Sequence, residues 1–314
     1  MPNAHSLYND PVLSQIAVDF KNRDFIADQV LTQVNVPLMF GRYLVWDQGV
    51  TFKAPHTIYQ ADGSPGMIEL KATQSSFSLE PKAQAAYVDE LEISQAPQAQ
   101  VRAMKVNKLV NVLQLDLELK VAAQLTSSTV MTNNATLSGT SQWSDFVNSN
   151  PINAILTQAD ALPKRPNTFI AGRDVISKLR THPTILSAIQ YTQRGGLAPL
   201  EALAALFEVD RILVGDAFKD TAAEGQAASK SRIWGKNAIL AYIDPSPPSP
   251  LMDQPTLGYL PTLAGPVTPP YRVYTSRDPM RGTGAGREFI KCETTYGILV
   301  SAPSMAMLWI NAVA

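Results

Sequence analysis

The sequence predicts an α+β protein, and three features predict it. Residues 98–125 contain no glycine or proline and repeat apolar side chains at helical spacing. Residues 150–275 alternate short apolar strands with short helices. Residues 51–84 are rich in breakers and poor in apolar side chains, which predicts an extended excursion with little core of its own.

The segment from Gln98 to Leu125 predicts one long helix. Its apolar face is expected to consist of Val106, Leu109, Val110, Leu113, Leu117 and Val121. The alternation of Leu113, Leu115, Leu117 and Leu119 also fits a strand. The length of the segment and the absence of breakers favour the helix, which would extend about 40 Å.

The breaker-rich segment is flanked by two predicted strands, at residues 43–46 and 87–93. This arrangement predicts a long hairpin-like arm. A solitary two-stranded arm is marginally stable in water, so it is expected to lie on another surface. An ordinary flexible insertion is the alternative interpretation.

Capping residues and periodicity predict the remaining elements. Asp10-Pro11 and Asn150-Pro151 have the form of helix starts, and residues 34–37 break the apolar pattern that follows the first of them. Further helices are predicted at residues 175–180, 185–191 and 199–207. Strands are predicted at residues 168–172, 211–215, 233–243, 271–275, 288–294 and 305–313. Ten of the 35 residues from Pro245 to Pro279 are proline, which argues against regular helix there.

Composition excludes several classes of protein. Charged residues make up only 17% of the chain, against a usual figure of roughly 25%, as expected of a protein that covers much of its surface with copies of itself. The net charge is −1 and no basic block stands out, which argues against tight sequence-specific nucleic-acid binding. One cysteine excludes a disulfide framework, and three distant histidines argue against a metal site.

The termini predict neither export nor membrane anchoring. The N-terminus lacks the basic and apolar regions of a signal peptide. The apolar run at residues 297–314 contains Pro303 and Asn311, so a buried final strand is expected there rather than a membrane span. We therefore expect a soluble protein in the cytosol.

No motif predicts an active site, a cofactor or a metal. The glycine-rich run at residues 282–287 lacks a strand before it and a helix after it, so a turn is expected rather than a phosphate loop. There is no Gly-x-Ser-x-Gly elbow, and His182 is expected at a helix boundary. Glu90 and Glu92 are expected on a solvated strand edge, and Cys292 is expected to be a small buried residue. We predict no catalytic residue.

Several segments together resemble the major capsid proteins of tailed bacteriophages, which have the Hong Kong 97-type fold. The pieces occur in order over nearly the whole chain. They are NDPVL (9–13), FIADQVL (25–31), VNVP (34–37), GRY (41–43), LSGTSQWSD (137–145), RPNT (165–168), HPTI (182–185), LFEV (206–209), ILVGDA (212–217), IWGKN (233–237) and ETTYGI (293–298).

The resemblance implies a division of the chain. It assigns residues 1–50 to an N-terminal arm and first strand, 51–96 to an extended β-hairpin loop, and 97–149 to a peripheral domain with a long spine helix. Residues 150–275 would form a mixed α/β axial domain, and residues 276–314 would be closing strands that return to the peripheral domain.

The resemblance also implies partners. Copies of the chain would form hexamers and pentamers of an icosahedral head around double-stranded DNA held non-specifically, with a portal and possible decoration proteins. The expected inter-subunit contacts are Lys53, Ile68, Leu70, Lys71, Phe77, Lys82, Arg102, Lys105 and Lys108. Some relatives begin with a fused scaffolding segment. This chain begins almost at the arm, so a separate scaffold is expected. Some relatives crosslink a loop lysine, but no motif marks Lys53, Lys71 or Lys82 as reactive.

Three alternatives remain open from the sequence. The first is a nanocompartment shell of the same fold that encloses cargo enzymes. The second is an enzyme that uses a cleft in the axial domain, which would require converging polar residues. The third is a tail-tube or other virion protein, which would be mainly β and would lack the spine helix.

Overall fold

The structure is a computed structural model. It describes residues 8–20, 22, 24–46, 72–89, 98–190, 196–223, 225–244, 256–263, 270–278, 282 and 286–314. The helices are α1 (Pro11–Asp19), α2 (Ala27–Val30), α3 (Gln98–Leu125), α4 (Pro151–Ala161), α5 (Arg173–Leu179), α6 (Pro183–Ile189) and α7 (Leu200–Leu206), with 3-10 turns at Gly139–Ser141 and Pro303–Met305.

The strands lie before, between and after these helices. They are β1 (Tyr8–Asn9), β2 (Thr32–Val36), β3 (Phe40–Trp46), β4 (Ala72–Ser78), β5 (Glu80–Val88), β6 (Asn133–Thr136), β7 (Thr168–Gly172), β8 (Arg211–Gly215), β9 (Phe218–Asp220), β10 (Lys230–Arg232), β11 (Ala238–Ala241), β12 (Gly258–Leu263), β13 (Tyr271–Asp278), β14 (Arg287–Tyr296), β15 (Leu299–Val300) and β16 (Ala306–Ile310). The α+β prediction is confirmed. In the described ranges no helix combines the length and the apolar character that a bilayer span needs.

The predicted long helix is present with the predicted bounds. α3 has 28 residues, and all six side chains expected on its apolar face are buried. The helical spacing therefore predicted both the element and its buried face. The capping predictions are also confirmed, because Asp10 and Asn150 accept backbone hydrogen bonds at the starts of α1 and α4.

A seven-stranded larger sheet lies against α1 and α3. Its strand order is β1-β13-β14-β12-β15, with β5 paired to β14 and β2 paired in parallel to β12. α1 and the first half of α3 bury Leu13, Val106 and Val110 against Val273 and Ile290 of this sheet. The long helix thus supplies the apolar cover that one face of the sheet requires.

A five-stranded smaller sheet has the order β6-β16-β11-β7-β8. Its central strands β7 and β11 are buried along their whole length, as strands covered on both faces must be. Helices α4 to α7 contribute Ile155, Ile176, Ile185 and Leu203 to the core on one face. This is the mixed α/β unit expected from the alternating pattern.

A junction core joins the two sheets. Leu117, Val121 and Leu125 of α3 pack in one cluster with residues of α2, with Leu260 and Tyr296 of the larger sheet, and with residues of the smaller sheet. The smaller sheet contributes Ile170, Leu213, Ile239, Ala241 and Leu308 to this cluster. The second half of α3 is therefore the element against which both sheets pack.

Two strand predictions are corrected in and near the arm. Residues 87–93 were expected to form the strand after the arm, but β5 begins at Glu80 and ends at Val88. Pro81 is tolerated because, among the described strands, β5 pairs with β14 alone, so one of its edges needs no ladder hydrogen bond. Residues 34–37 were expected only to break the apolar pattern, but residues 34–36 lie within β2, which pairs with β12.

The strand expected at residues 233–243 is also corrected. Only Ala238–Ala241 is extended, and a turn with Gly235 at φ +55° precedes it. Glycine adopts this left-handed backbone without a steric penalty, so the apolar Trp234 belongs to the turn rather than to the strand. The apolar run at residues 233–234 therefore reflects burial and not strand pairing.

Strand pairing differs in part from the expected division of the chain, which itself stays a prediction. Residues 276–314 were expected to return to the peripheral unit, but β16 pairs with β11 and β6 in the smaller sheet. β12 and most of β13 were expected in the axial unit, but they pair within the larger sheet. β6, expected in the peripheral unit, also lies in the smaller sheet. Pairing between distant segments depends on tertiary packing, which local periodicity does not encode.

Candidate assembly site

The described members of the predicted inter-subunit set lie on three separate elements. Phe77 on β4 covers Gly41 of β3, where an added Cβ would come within 2.4 Å of its ring. Lys82 on β5 donates to Glu80 at 2.6 Å, and Arg102 on α3 donates twice to Glu288, at 3.0 and 2.7 Å. Lys105 and Lys108 also lie on α3. The structure does not bring these side chains together in one cluster.

The other four members of the set, Lys53, Ile68, Leu70 and Lys71, lie outside the described residues, as do His5, His56, Glu90 and Glu92. Their predicted roles therefore stay predictions.

Strands β3 and β4 form a ribbon that stands apart from both sheets. Seven residue pairs join them, from Phe40↔Ser78 to Trp46↔Ala72, and within the described residues they pair only with each other. Leu38 and Phe40 at the base of the ribbon are 64% and 72% exposed. An isolated two-stranded ribbon with exposed apolar side chains requires a further surface to be stable, as the sequence analysis expected.

The outer face of α3 carries a second apolar stripe. Met104 and Val112 are 72% and 40% exposed, and the exposed Lys108 lies between them at a spacing of four residues. Residues four apart lie on the same side of a helix, so these three side chains form a stripe opposite the buried face. The sequence analysis named Lys108 here but missed the two apolar residues.

A rigid turn presents another apolar surface. The Asp145 carboxylate accepts hydrogen bonds from the backbone N–H groups of Val147 and Asn148 and from the Asn148 amide, which lowers its pKa. Phe146 and Val147 in this turn are 38% and 88% exposed. The turn is held by its own hydrogen bonds, so its apolar tip is presented in one conformation.

A serine-histidine pair occurs in the smaller unit, and its hydrogen bonds argue against nucleophilic catalysis. His182 Nε2 lies 3.1 Å from Ser149 Oγ, but both residues are buried. His182 Nδ1 accepts from the Thr184 N–H at 3.3 Å and lies 2.6 Å from Thr184 Oγ1, so Thr184 occupies this side of the ring. Ser149 Oγ donates to the Asp145 carbonyl. Because the serine hydroxyl already donates to a carbonyl and both side chains are buried, the pair caps α6 and holds the turn rather than presenting a nucleophile.

We expect acidification to destabilise the folded subunit through His182. Burial lowers the pKa of the ring, so the unfolded chain takes up the proton first as the pH falls below about 6.5. The stability from the neutral ring is complete above that pH and is lost as the pH falls through the folded-state pKa, by at most about 1.4 kcal/mol per pH unit. Urea unfolding at about pH 7.5 and about pH 5.5 measures this loss.

The control for this prediction is His182→Gln, whose side-chain oxygen can still accept from the Thr184 N–H. The variant should lose less unfolding free energy between the two pH values than the wild type does. Equal losses in the two proteins would show that His182 is not the titrating group.

The cysteine, the glycine-rich run and the acidic residues likewise show no arrangement for nucleophilic, phosphate-binding or metal chemistry in the described part of the chain. Cys292 is buried, and burial raises the pKa of its thiol to about 12, so it is not a thiolate at neutral pH. Arg287, the last residue of the glycine-rich run, begins β14, and β13 and β14 pair antiparallel on either side of that run. In the described part of the chain no three histidine, cysteine or acidic residues are grouped as metal ligands would be.

Glu118 is a fully buried carboxylate. It lies on α3 with 0% exposure, and its Oε2 accepts from the backbone N–H groups of Ile26 and Ala27 at 3.1 and 2.8 Å. Its Oε1 accepts from the indole N–H of Trp234 at 2.5 Å. Burial raises the pKa of this carboxyl above its usual range, while the three hydrogen bonds act in the opposite direction.

Glu118 is the last of three polar side chains on one face of α3. Asn111 and Gln114 contact Asn22 and the Phe20 carbonyl, at 2.7 and 3.1 Å. A cavity of about 240 Å³ lies beside them between the N-terminal segment, α3 and the larger sheet. The sequence analysis missed all three residues. The spacing of residues 111, 114 and 118 could have predicted them, because residues three and four apart on a helix form a row of polar side chains beside the buried apolar face.

Comparisons with known proteins agree with this architecture. A family model described as phage major capsid protein E matches residues 97–245. The chain is 34% identical over 239 residues to a major capsid protein of Pseudomonas phage JBD67, which covers 75% of this chain and 77% of the relative.

Solved structures share the fold. A phage-related protein from Bordetella bronchiseptica RB50 superimposes with a TM-score of 0.75 at 22% identity, over 98% of each chain. A virus-like particle protein from Pyrococcus furiosus superimposes with a TM-score of 0.54 at 12% identity, over 95% of each chain.

The two sheets, the long shared helix and the separate ribbon define a capsid protein fold of the Hong Kong 97 type. The chain belongs to the major capsid proteins of tailed bacteriophages. The resemblance deduced from the sequence is thereby confirmed.

Proposed function

We propose that this capsid protein assembles with copies of itself into the hexamers and pentamers of an icosahedral head that encloses double-stranded DNA. The observation that carries the proposal is the β3–β4 ribbon, which among the described strands pairs with neither sheet and has the exposed Leu38 and Phe40 at its base. A second copy is the natural cover for such a surface, because burial of its apolar side chains stabilises the contact.

Several further contacts between copies are proposed. The stripe of Met104, Lys108 and Val112 on α3 and the apolar turn at Phe146 and Val147 are exposed on other parts of the same subunit. The contacts expected from the sequence at Phe77, Lys82, Arg102 and Lys105 belong to the same proposal. Arg102 and Lys82 already have partners within the chain, so they would contribute less to assembly than Lys108.

The proposed role is structural rather than catalytic. Among the described residues, the serine-histidine pair, the single cysteine and the acidic groups lack the geometry of a nucleophile or a metal site. DNA would be enclosed without sequence-specific contacts, in agreement with a net charge of −1. We propose assembly in the host cytoplasm, with a portal, a scaffold and decoration proteins as partners.

The second candidate is a nanocompartment shell, favoured by the fold shared with the virus-like particle protein of Pyrococcus furiosus. The same contacts between copies would serve both functions. The enclosed material separates them, because a head encloses DNA whereas a nanocompartment encloses a cargo protein.

Negative-stain electron microscopy tests the proposal. The chain is expressed alone and together with its neighbouring genes, and closed polyhedral particles are expected in at least one sample. Neighbouring portal and terminase genes would identify a phage head, and a neighbouring cargo enzyme would identify a nanocompartment. A uniform small species in both samples would contradict self-assembly and revive the hypothesis of an enzyme.

A further inference from the structure

Glu118 links three parts of the fold that are distant in sequence. We use the name N-terminal strap for residues 24–36, which include α2 and β2. The carboxylate accepts two hydrogen bonds from the backbone of this strap, and it belongs to α3. Its third hydrogen bond comes from Trp234, which is attached to the smaller sheet. One side chain thus bonds to the strap and to the smaller sheet from the helix that both sheets share.

Trp234 is held firmly on its own side of this link. Its indole lies against Gly215 at the end of β8, where an added Cβ would be 2.3 Å from the ring. The next residue, Gly235, places its carbonyl oxygen 1.9 Å from the position of a Cβ on Gly172, at the end of β7. Gly172 and Gly215 face each other in the register of the two strands. The turn that carries Trp234 therefore sits directly on the smaller sheet, and its indole moves with that sheet.

The strap is held equally firmly on the other side. β2 pairs with five consecutive residues of β12, from Thr32↔Tyr259 to Val36↔Leu263. A shift of the strap would therefore shift the edge of the larger sheet. Thr32 Oγ1 donates to the Asp244 carbonyl, which adds a contact three residues beyond β11. The hydrogen bonds from Ile26 and Ala27 thus connect Glu118 to the larger sheet through the strap. The hydrogen bond from Trp234 connects it to the smaller sheet.

Burial of this carboxylate costs desolvation free energy, so stabilisation of the fold alone does not explain why a glutamate occupies this position. Its three partners are neutral N–H donors, and the charge acting on it from Asp28 has the same sign. Apolar side chains of similar volume commonly stabilise a core as well as a buried charged group does. Three fixed donors do, however, define the position of the carboxylate, because each N–H donates well only to an oxygen within a narrow range of directions.

We propose that Glu118 is a positioning residue for assembly, which fixes the angle between the two sheets and the strap that a closed shell requires. The inference rests on the proposed function. A closed shell needs one constant geometry between neighbouring contacts, because a small error in each subunit accumulates around a ring and the ring fails to close. The β3–β4 ribbon continues into the larger sheet, whereas the Phe146–Val147 turn belongs to the smaller unit. The angle between the sheets therefore sets the relation between these two surfaces.

The variants that test the proposal are Glu118→Gln, Trp234→Phe and the double variant. Glutamine keeps the shape and one accepting oxygen, but its amide N–H₂ faces either the indole N–H or the strap, so at least one bond is lost. Phenylalanine removes only the indole N–H and part of the ring. Val175→Ala is the matched control, because Val175 is fully buried in the core of the smaller unit and takes no part in the link.

The first readout is local. Hydrogen exchange of the subunit should show at least tenfold faster exchange in Glu118→Gln on the side that the new amide N–H₂ faces, either at the Ile26 and Ala27 amides or at the Trp234 indole N–H. Exchange at both places should be unchanged in Val175→Ala. The second readout is the particle population in electron microscopy. Glu118→Gln should reduce the yield of closed particles at least tenfold and produce open or irregular shells, while the subunit remains folded by circular dichroism.

The outcomes are distinguishable. If wild-type protein forms no closed particles, the proposed function fails. If wild type forms them and Glu118→Gln forms them with the same yield and diameter, the positioning role is wrong. The role is also wrong if Val175→Ala, compared at equal melting temperature, produces the same irregular shells. If Glu118→Gln does not fold, the test rests on Trp234→Phe. This variant is expected to form irregular shells, and regular closed shells would overturn the proposal. The double variant should show less than the sum of the single effects, since both changes break one link.

Discussion

Replacement of residues 47–71 by an Asn-Gly turn is expected to abolish closed particles and to leave a folded subunit. Trp46 and Ala72 face each other at the end of the β3–β4 ribbon, so a two-residue turn can join the two strands directly. The variant keeps both strands and Leu79, which is buried and donates its N–H to the Met39 carbonyl. It removes the segment to which Lys53, Ile68, Leu70 and Lys71 belong. Electron microscopy of wild type and variant measures the yield of closed particles.

The control for this variant is the stability of the unassembled subunit. A shorter loop costs little or nothing in unfolding free energy, so the two proteins should agree to within about 1 kcal/mol. A folded variant that never closes would support the role of residues 47–71 in contacts between copies. Closed particles with the wild-type diameter and yield would show that this segment is dispensable, and the assignment of an extended loop would be wrong.

Trp143→Ala is expected to give the largest loss of stability, about 3–5 kcal/mol of unfolding free energy. Trp143 is 1% exposed and packs against Trp309 and Phe169, with ring centroids 5.4 and 6.5 Å away. Its backbone N–H donates to the Ala312 carbonyl at 2.8 Å, so it attaches the turn before α4 to the C-terminal end of the chain. Alanine would leave a cavity that these rigid neighbours cannot fill. Chemical denaturation of the unassembled subunit measures the loss.

Val147→Ala is the matched control in the same turn. Val147 is 88% exposed, so its truncation should change the unfolding free energy by no more than about 0.5 kcal/mol. A small effect of Trp143→Ala, comparable to that of Val147→Ala, would show that the aromatic cluster contributes little to the stability of the smaller unit.

Features of the fold that depend on neighbouring residues were predictable. α3 begins and ends at the predicted residues because helical spacing and the absence of breakers act within a few turns. Asp10 and Asn150 were predictable as caps because a cap bonds to a backbone group two or three residues away. β7 and β8 were predictable because each is a short apolar run between breakers.

The candidate assembly site was only partly predictable. The sequence indicated an arm without a core, and the ribbon at its base agrees with this. It did not indicate that Leu38, Phe40, Met104 and Val112 are exposed, because the residue type alone does not distinguish an apolar side chain in a core from one in contact with solvent. The pairing of Ser149 with His182 was also hidden, since 33 residues separate them.

The sequence by itself determined the local elements of this capsid protein, the long helix with its buried face, and the family to which the chain belongs. Only the tertiary structure decided that β16 closes the smaller sheet, that β12 and β13 belong to the larger one, and that Glu118 bonds to Trp234 across 116 positions. The physical reason is the range of the interactions. Caps and helical periodicity act over a few residues, whereas strand pairing and a buried hydrogen-bonded carboxylate depend on which distant surfaces pack together.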